Sequence, residues 1–189
     1  MKGKLYVFSG PAGVGKGTIL KNAMPKLPNM KFSVSCTTRS PRPGLDREGE
    51  TYYFISEEEF RRRIAAGEFL EYADVHGHLY GTLRRTVENA LDKGSDIVLE
   101  IDVQGAKLVK EKMPEAVTIF VKPPSMEELI RRLKGRGSES AAEQAMRIRN
   151  AEEELSHADE YDHVLINDVL DRAVNDFINI VTEYREEKE

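Results

Sequence analysis

The stretch Gly10-Pro11-Ala12-Gly13-Val14-Gly15-Lys16-Gly17-Thr18 has the residue types and spacing of a phosphate cradle. Glycines let consecutive backbone N–H groups converge on one anion, and a helix opening at the lysine adds the positive end of its dipole. The spacing is G-x-x-x-x-G-K, and Lys16 is long enough to reach the β- and γ-phosphates of a nucleoside triphosphate. The next residue is Gly17, where Ser or Thr ordinarily supplies a hydroxyl to Mg²⁺. An ion arriving with the nucleotide is therefore expected to be held mainly by phosphate oxygens and water, with Thr18 left to touch phosphate.

Arginines supply the second kind of chemistry. They cluster at Arg39, Arg42 and Arg47, at Arg131, Arg132 and Arg136, and at Arg147 and Arg149, in a chain of 189 residues whose formal net charge is −5. Local basic clusters on an acidic protein suit a small anionic ligand, whereas nucleic acid or a membrane surface calls for an overall excess of Lys and Arg. The single cysteine, Cys36, excludes an internal disulfide and fits a reducing, cytoplasmic setting. Beside Ser35 and with no histidine near it in sequence, it reads as a packed thiol. His76 and His78 lack a Cys or a clustered acid and make a poor zinc pair.

The elements that must position these groups follow from periodicity. Leu5–Ser9 is an apolar run ending at Gly10-Pro11, which predicts a buried strand feeding the glycine loop. A helix is predicted from Gly15 to about Lys26. Phe32–Cys36 alternates like a strand, and Thr37–Thr51 reads as a long polar loop of the kind that carries function. Tyr52–Ile55 is a further short strand. Ser56 opens a capping box into a helix to about Ala66, where Glu57, Glu58 and Glu59 stand four residues before Arg61, Arg62 and Arg63. Strands are predicted at 69–75 and near 79–80, and a helix from 83 to 93. Asp96–Ile101 and Val117–Val121 read as strands buried on both faces, with a helix at 104–112 between them. Ser125 and Ser140 open two more helices, followed by a strand at 163–166 and a helix at 170–184.

Strands alternating with helices predict a three-layer α/β core with a parallel sheet. The core is expected to comprise residues 1–36, 96–125 and 159–189. Residues 37–95 form an inserted lobe, and 126–158 a short helical lid.

Beyond the phosphate loop, Phe32-Ser33-Val34-Ser35-Cys36-Thr37-Thr38-Arg39-Ser40-Pro41-Arg42-Pro43-Gly44 followed by Tyr52-Tyr53-Phe54 closely resembles the GMP-binding signature of guanylate kinases. So do Gly67–Tyr72, His78–Thr82, Leu99–Gly105 and Leu133–Gly137, in the same order along nearly the whole chain. The resemblance implies a P-loop NTPase fold and transfer of the γ-phosphoryl group of ATP to GMP, giving ADP and GDP. It also implies dGMP as a second acceptor and a monomer or small homo-oligomer. By the same resemblance Arg39, Arg42, Tyr52 and Tyr80 would hold the GMP phosphate, and Ser35, Glu71, Thr82 and Glu100 would surround guanine. Arg136 and Arg147 match lid arginines, Asn167 stands near the adenine of ATP, and Asp102 near the water shell of Mg²⁺. The catalytic set is then Lys16, Arg39, Arg136 and Arg147.

The chemistry of these residue types agrees with the roles. Guanidinium forks and phenol hydroxyls suit a dianionic phosphate. A carboxylate can accept from guanine N1–H and its exocyclic amino group together, which adenine does not offer. The chain departs from the family pattern in two places: Leu45 where Glu usually follows the glycine matching Gly44, in a loop one residue longer before Tyr52, and Glu100 where Asp is common. Asp46 and Glu48 are the carboxylates next to Leu45. Two other readings remain beside the enzyme. A different small-molecule kinase on this scaffold is opposed by Ser35, Glu71 and Thr82. A non-catalytic peptide-binding module is opposed by the presence together of Lys16, Arg136 and Arg147.

Overall fold

The computed structural model describes residues 2–75, 77–134 and 141–186, so His76, Arg136 and the Ser140 cap lie outside the described residues. Among the described residues there are nine strands and seven α-helices. In chain order these are β1 (Leu5–Ser9), α1 (Lys16–Ala23), β2 (Met30–Phe32), β3 (Ser35–Thr37), β4 (Tyr52–Phe54), α2 (Glu57–Ala65), β5 (Phe69–Val75) and β6 (His78–Leu83). They continue with α3 (Arg84–Asp92), β7 (Asp96–Glu100), α4 (Val103–Lys112), β8 (Val117–Lys122), α5 (Met126–Lys134), α6 (Ala141–Ser156), β9 (His163–Ile166) and α7 (Leu170–Glu186). One sheet has the order β2-β7-β1-β8-β9, with β2 parallel to β7 and β8 parallel to β9. The other is mixed, with the order β4-β3-β6-β5. No helix among the described residues is long and apolar enough to cross a membrane.

The chain divides into two compact units. One comprises Met1–Tyr6, Asn29–Leu99 and Gln104–Ala116; the other comprises Val7–Pro28, Glu100–Val103 and Val117–Glu189. The first contains the whole mixed sheet. Its core beneath that sheet is Cys36, Phe60 and Phe69, with Tyr53, Ile55, Ile64, Leu79 and Leu83 packed around them. Phe60 and Phe69 stack with ring centroids 4.4 Å apart. The second unit contains the glycine loop and α1, which packs on α7. Phe8 meets Phe177 edge-on at 5.0 Å.

Local chemistry explains most of the element ends. Ser56 Oγ accepts from the Glu59 N–H at 3.1 Å and Ser125 Oγ from the Glu128 N–H at 3.2 Å, so both expected caps open their helices. Along α2, Arg61 reaches Glu57 and Arg63 reaches Glu59 at i,i+4. Arg62 turns to Glu59 at i,i+3 in place of the expected Glu58. α1 stops at Ala23, earlier than the periodicity suggests. Pro25 has no N–H to continue the α ladder, and Met24–Lys26 tighten into a 3₁₀ turn.

The predicted single strand at Phe32–Cys36 is in fact two. Met30–Phe32 pairs with β7, while Ser35–Thr37 pairs with β4 and β6, so the alternation runs through a crossover from one sheet to the other.

Candidate active site

The glycine loop is built by contacts that leave no room for side chains. At Gly10 φ is +138°, and a Cβ there would lie 2.5 Å from the Val121 carbonyl oxygen. Gly15 caps α1 with φ +100°, and its Cβ would lie 2.4 Å from Asn167 Nδ2. Only glycine combines these backbone angles with such close approach. The buried Asn167 donates its amide to the Val14 carbonyl at 2.8 Å, so this side chain holds the loop from behind. Arg132 donates at 3.3 Å to both the Val14 and Asn167 carbonyls. A cleft of about 540 Å³ beside the loop is lined by residues that include Gly13, Gly15, Thr18, Arg131, Arg132 and Asn167.

Lys16 opens α1 and folds back along the loop, donating to the Gly10 carbonyl and, at 3.1 Å, to the Pro11 carbonyl. Partial burial pulls its ammonium below the usual lysine range, and the carboxylates of Glu100, Glu154 and Asp102 oppose that pull. A Cβ at Gly17 would sit 3.6 and 3.7 Å from the two Glu100 carboxylate oxygens, so Glu100 faces the place where a serine side chain would begin. Among the described residues no group of three or more His, Cys, Asp or Glu side chains could hold a metal ion by itself.

In the mixed sheet, strand register brings the other candidates together. Ser35 stands opposite Tyr52, and Thr37 stands opposite both Phe54 on β4 and Tyr80 on β6. The Tyr52 and Tyr80 rings meet at 5.8 Å, and the Arg39 guanidinium lies 5.5 Å from the Tyr52 ring centroid and 5.8 Å from that of Phe54. Asp46 Oδ2 accepts from Arg39 Nη1 at 2.8 Å and from Arg42 Nε at 3.2 Å. Glu71 and Thr82 are a buried pair, with Thr82 Oγ1 donating to Glu71 Oε1 at 2.6 Å.

Glu71 reaches that partner through a β-bulge. Phe69 pairs with Leu83 on the core side, and uninterrupted alternation would place Glu71 on the same side, opposite Gly81. The register instead shifts between Phe69 and Glu71, so Glu71 pairs with Thr82 and turns to the other face. Lys112 reaches the same place, its Nζ donating to Phe69 O at 2.8 Å and to Leu70 O at 2.9 Å.

With this geometry in place, comparison with known proteins is decisive. The family model described as guanylate kinase matches residues 2–184. The guanylate kinase of Thermotoga maritima is 49% identical over 98% of this chain and 89% of its own length. That of Caldanaerobacter subterraneus subsp. tengcongensis is 53% identical over 92% of this chain and 84% of its own. The crystal structure of guanylate kinase from Anaplasma phagocytophilum superposes with a TM-score of 0.72 at 37% identity, covering 97% of this chain and 86% of that one. The chain belongs to the guanylate kinase family.

As a guanylate kinase it has the P-loop NTPase fold that the sequence predicts. Its predicted site residues fall into two groups. Gly10 to Thr18, Glu100, Asp102, Arg147 and Asn167 belong to the unit with the glycine loop; Ser35, Arg39, Arg42, Tyr52, Glu71, Tyr80 and Thr82 belong to the unit with the mixed sheet. Arg147 is half-buried on α6. Sequence reasoning missed three supporting side chains. Arg132 reads from sequence as one member of a basic cluster; it pairs with Glu128 at 2.8 Å, and its guanidinium also braces the glycine loop. Glu154 looks like one more acid on a charged helix, yet its charge acts on Lys16. Lys112 lies outside every motif. No local signal marks these roles, because each depends on a neighbour distant in sequence.

Proposed function

We propose that this chain transfers the γ-phosphoryl group of ATP to GMP, giving ADP and GDP, with Lys16, Arg39, Arg136 and Arg147 sharing the charge of the transferring group. The observation that carries the acceptor assignment is the buried Glu71–Thr82 pair, on the same sheet as Tyr52 and Tyr80, with Arg39 of the adjoining loop against the Tyr52 ring. A buried carboxylate on one sheet with phenols that suit a phosphate matches guanosine monophosphate and leaves adenine without a partner. Ser35 and Glu100 complete the proposed base contacts.

The reaction needs no general base. An oxygen of the GMP phosphate, already anionic near neutral pH, forms the new P–O bond while the bond from the γ-phosphorus to the departing ADP oxygen breaks. Acceleration then comes from alignment and charge stabilisation. The glycine-loop N–H groups and Lys16 hold the ATP phosphates, Asn167 and the cleft beside it receive the adenine end, and Arg42, Tyr52 and Tyr80 anchor the acceptor phosphate. The absence of a side chain at Gly17 and of any acidic cluster among the described residues fits an Mg²⁺ carried in on ATP, with Asp102 reached through water. Bound there, the ion neutralises phosphate charge. We assign residues 37–95 as the acceptor lobe, 126–158 as the lid, and the cytoplasm as the compartment, in keeping with a lone reduced thiol.

The decisive experiment is a steady-state assay of ADP release against GMP, dGMP, AMP, CMP and UMP. ADP formation that depends on GMP, and to a lesser degree on dGMP, is the expected result. ADP release that ignores GMP, or a preference for AMP, would overturn the assignment.

A further inference from the structure

The loop between β3 and β4 holds a carboxylate that none of the roles above uses. Asp46 lies on a surface loop, yet its side chain is only 1% exposed. Four donors enclose it. Arg39 Nη1 at 2.8 Å, the Arg42 backbone N–H at 2.6 Å and Arg42 Nε at 3.2 Å reach Oδ2, while Arg42 Nη2 reaches Oδ1 at 3.2 Å. A tight turn delivers it there: the Leu45 and Asp46 N–H groups both donate to the Arg42 carbonyl at 3.1 Å, across Gly44 at φ +75°. Leu45 points outward, 69% exposed. Glu48, the other nearby acid, is engaged elsewhere, accepting from the Phe54 N–H at 3.1 Å.

Two guanidiniums side by side repel each other, and long arginine side chains lose conformational freedom when they are fixed. One carboxylate bonded to both offsets the first effect and supplies the second from within the loop. It uses only part of each fork: Arg39 bonds it through Nη1 alone, which also donates to the Ser40 carbonyl at 2.8 Å, and Arg42 bonds it through Nε and Nη2. The pairing with the two arginines holds Asp46 far below the usual carboxylate range, so it stays charged at any pH at which the enzyme works.

We propose that Asp46 is a positioning residue for the acceptor: it holds Arg39 and Arg42 in one geometry, with their remaining N–H groups presented to the phosphate of a nucleoside monophosphate. The inference rests on the reading of Arg39 and Arg42 as phosphate ligands. Its consequence falls on one substrate and chiefly on binding, because the forks are pre-organised before the acceptor arrives, with a smaller effect on turnover through Arg39.

Asp46→Asn keeps the shape but removes the charge and turns one acceptor into a donor facing guanidinium. Its KM for GMP is expected to rise about tenfold or more, with a smaller fall in kcat through Arg39 and KM for ATP unchanged. Guanosine, which lacks the phosphate, should compete as weakly against the variant as against the parent. Asp46→Glu returns a carboxylate and should recover part of the loss. In an Arg39→Ala/Arg42→Ala background, Asp46→Asn should add little. Arg39→Ala alone is the control on the underlying assignment. If it leaves KM for GMP unchanged, the phosphate reading fails and this inference goes with it. If it raises KM while Asp46→Asn leaves it unchanged or lowers it, the site stands and the inference is wrong, the carboxylate then competing with the phosphate for the same N–H groups. A loss of kcat and of affinity for both nucleotides together, tracking a lower melting temperature, would mark Asp46 as merely structural and equally overturn the proposal.

Discussion

The glycine loop and the mixed sheet are both proposed to present positive charge to phosphate, and they would do it with different parts of the chain. The loop uses consecutive backbone N–H groups and one lysine, shaped by glycines whose angles and clearances admit nothing larger. Its supports, Asn167 and Arg132, grip backbone carbonyls, so they do not compete for the loop N–H groups. The proposed acceptor site draws side chains from β3, β4, β5, β6 and a loop, with Asp46 bonded to the loop arginines and the strand residues ordered by register. A backbone site tolerates changes around it as long as its path is kept. A side-chain site depends on every strand that contributes to it, and a slip of one residue turns a ligand to the wrong face.

The sharpest way to break this contrast is Lys16→Ala, which removes the loop's only long cationic side chain. We expect kcat to fall by about three orders of magnitude or more, with the melting temperature and GMP affinity nearly unchanged. Turnover and calorimetric GMP titration on the same preparation check both halves. Near-normal turnover would remove the loop from the chemistry.

The next test concerns the sheet. Glu71→Gln replaces an acceptor with a donor opposite guanine's own donors at almost constant volume, and it also disturbs the bond from Thr82. kcat/KM for GMP should fall by about two orders of magnitude, while the value for AMP hardly moves. An unchanged GMP-to-AMP ratio would show that guanine is read elsewhere, with Glu100 the next candidate.

The same contrast decides what could be read from the sequence. The phosphate loop was legible because its ligands are contiguous and its glycines have a physical reason to be there. The capping boxes at Ser56 and Ser125 were legible for the same local reason. The residues of the acceptor sheet came into view only through family resemblance, since no spacing rule links Ser35, Glu71 and Thr82. What stayed hidden was tertiary. The crossover after Phe32 lies inside an unbroken alternation, the bulge at Leu70 leaves no mark in an apolar run, and the partners of Lys112 lie more than forty positions away.

That bulge gives a smaller, more selective test. Lys112→Met keeps the aliphatic stem but removes the two bonds to the Phe69 and Leu70 carbonyls, which costs about 1 kcal/mol of stability by the usual worth of such bonds. Loosening the bulge should let Glu71 drift from Thr82, so the GMP-to-AMP ratio of kcat/KM should fall by about threefold to tenfold, with the ATP parameters unchanged. Lys112→Arg, which can still donate to both carbonyls, should recover much of it. A ratio that holds in the Met variant would mean that strand pairing alone keeps the register.

The smallest effect is expected at Cys36, and it tests which way the faces of β3 point. Ser35 and Cys36 are neighbours, so strand geometry sends their side chains to opposite sides. Cys36 is fully buried against Phe60 and Phe69, placing Ser35 on the side of the Tyr52 and Tyr80 hydroxyls. Burial pushes the thiol up to about 11, with Arg63 offsetting only part of that shift. At pH 8 only about one thiol in a thousand is then ionised, and iodoacetamide should label the native protein at least about a hundredfold more slowly than the urea-unfolded chain. A thiol harder to ionise when folded contributes stability that is complete below its ordinary value near 9 and lost as pH rises toward 11, so the melting temperature should decline across that window. Cys36→Ala should leave the kinetics with GMP within about twofold, because the side chain packs away from the proposed ligands. Rapid labelling, and above all labelling that GMP slows, would put the thiol on the substrate side and reverse the assignment of both faces of the strand.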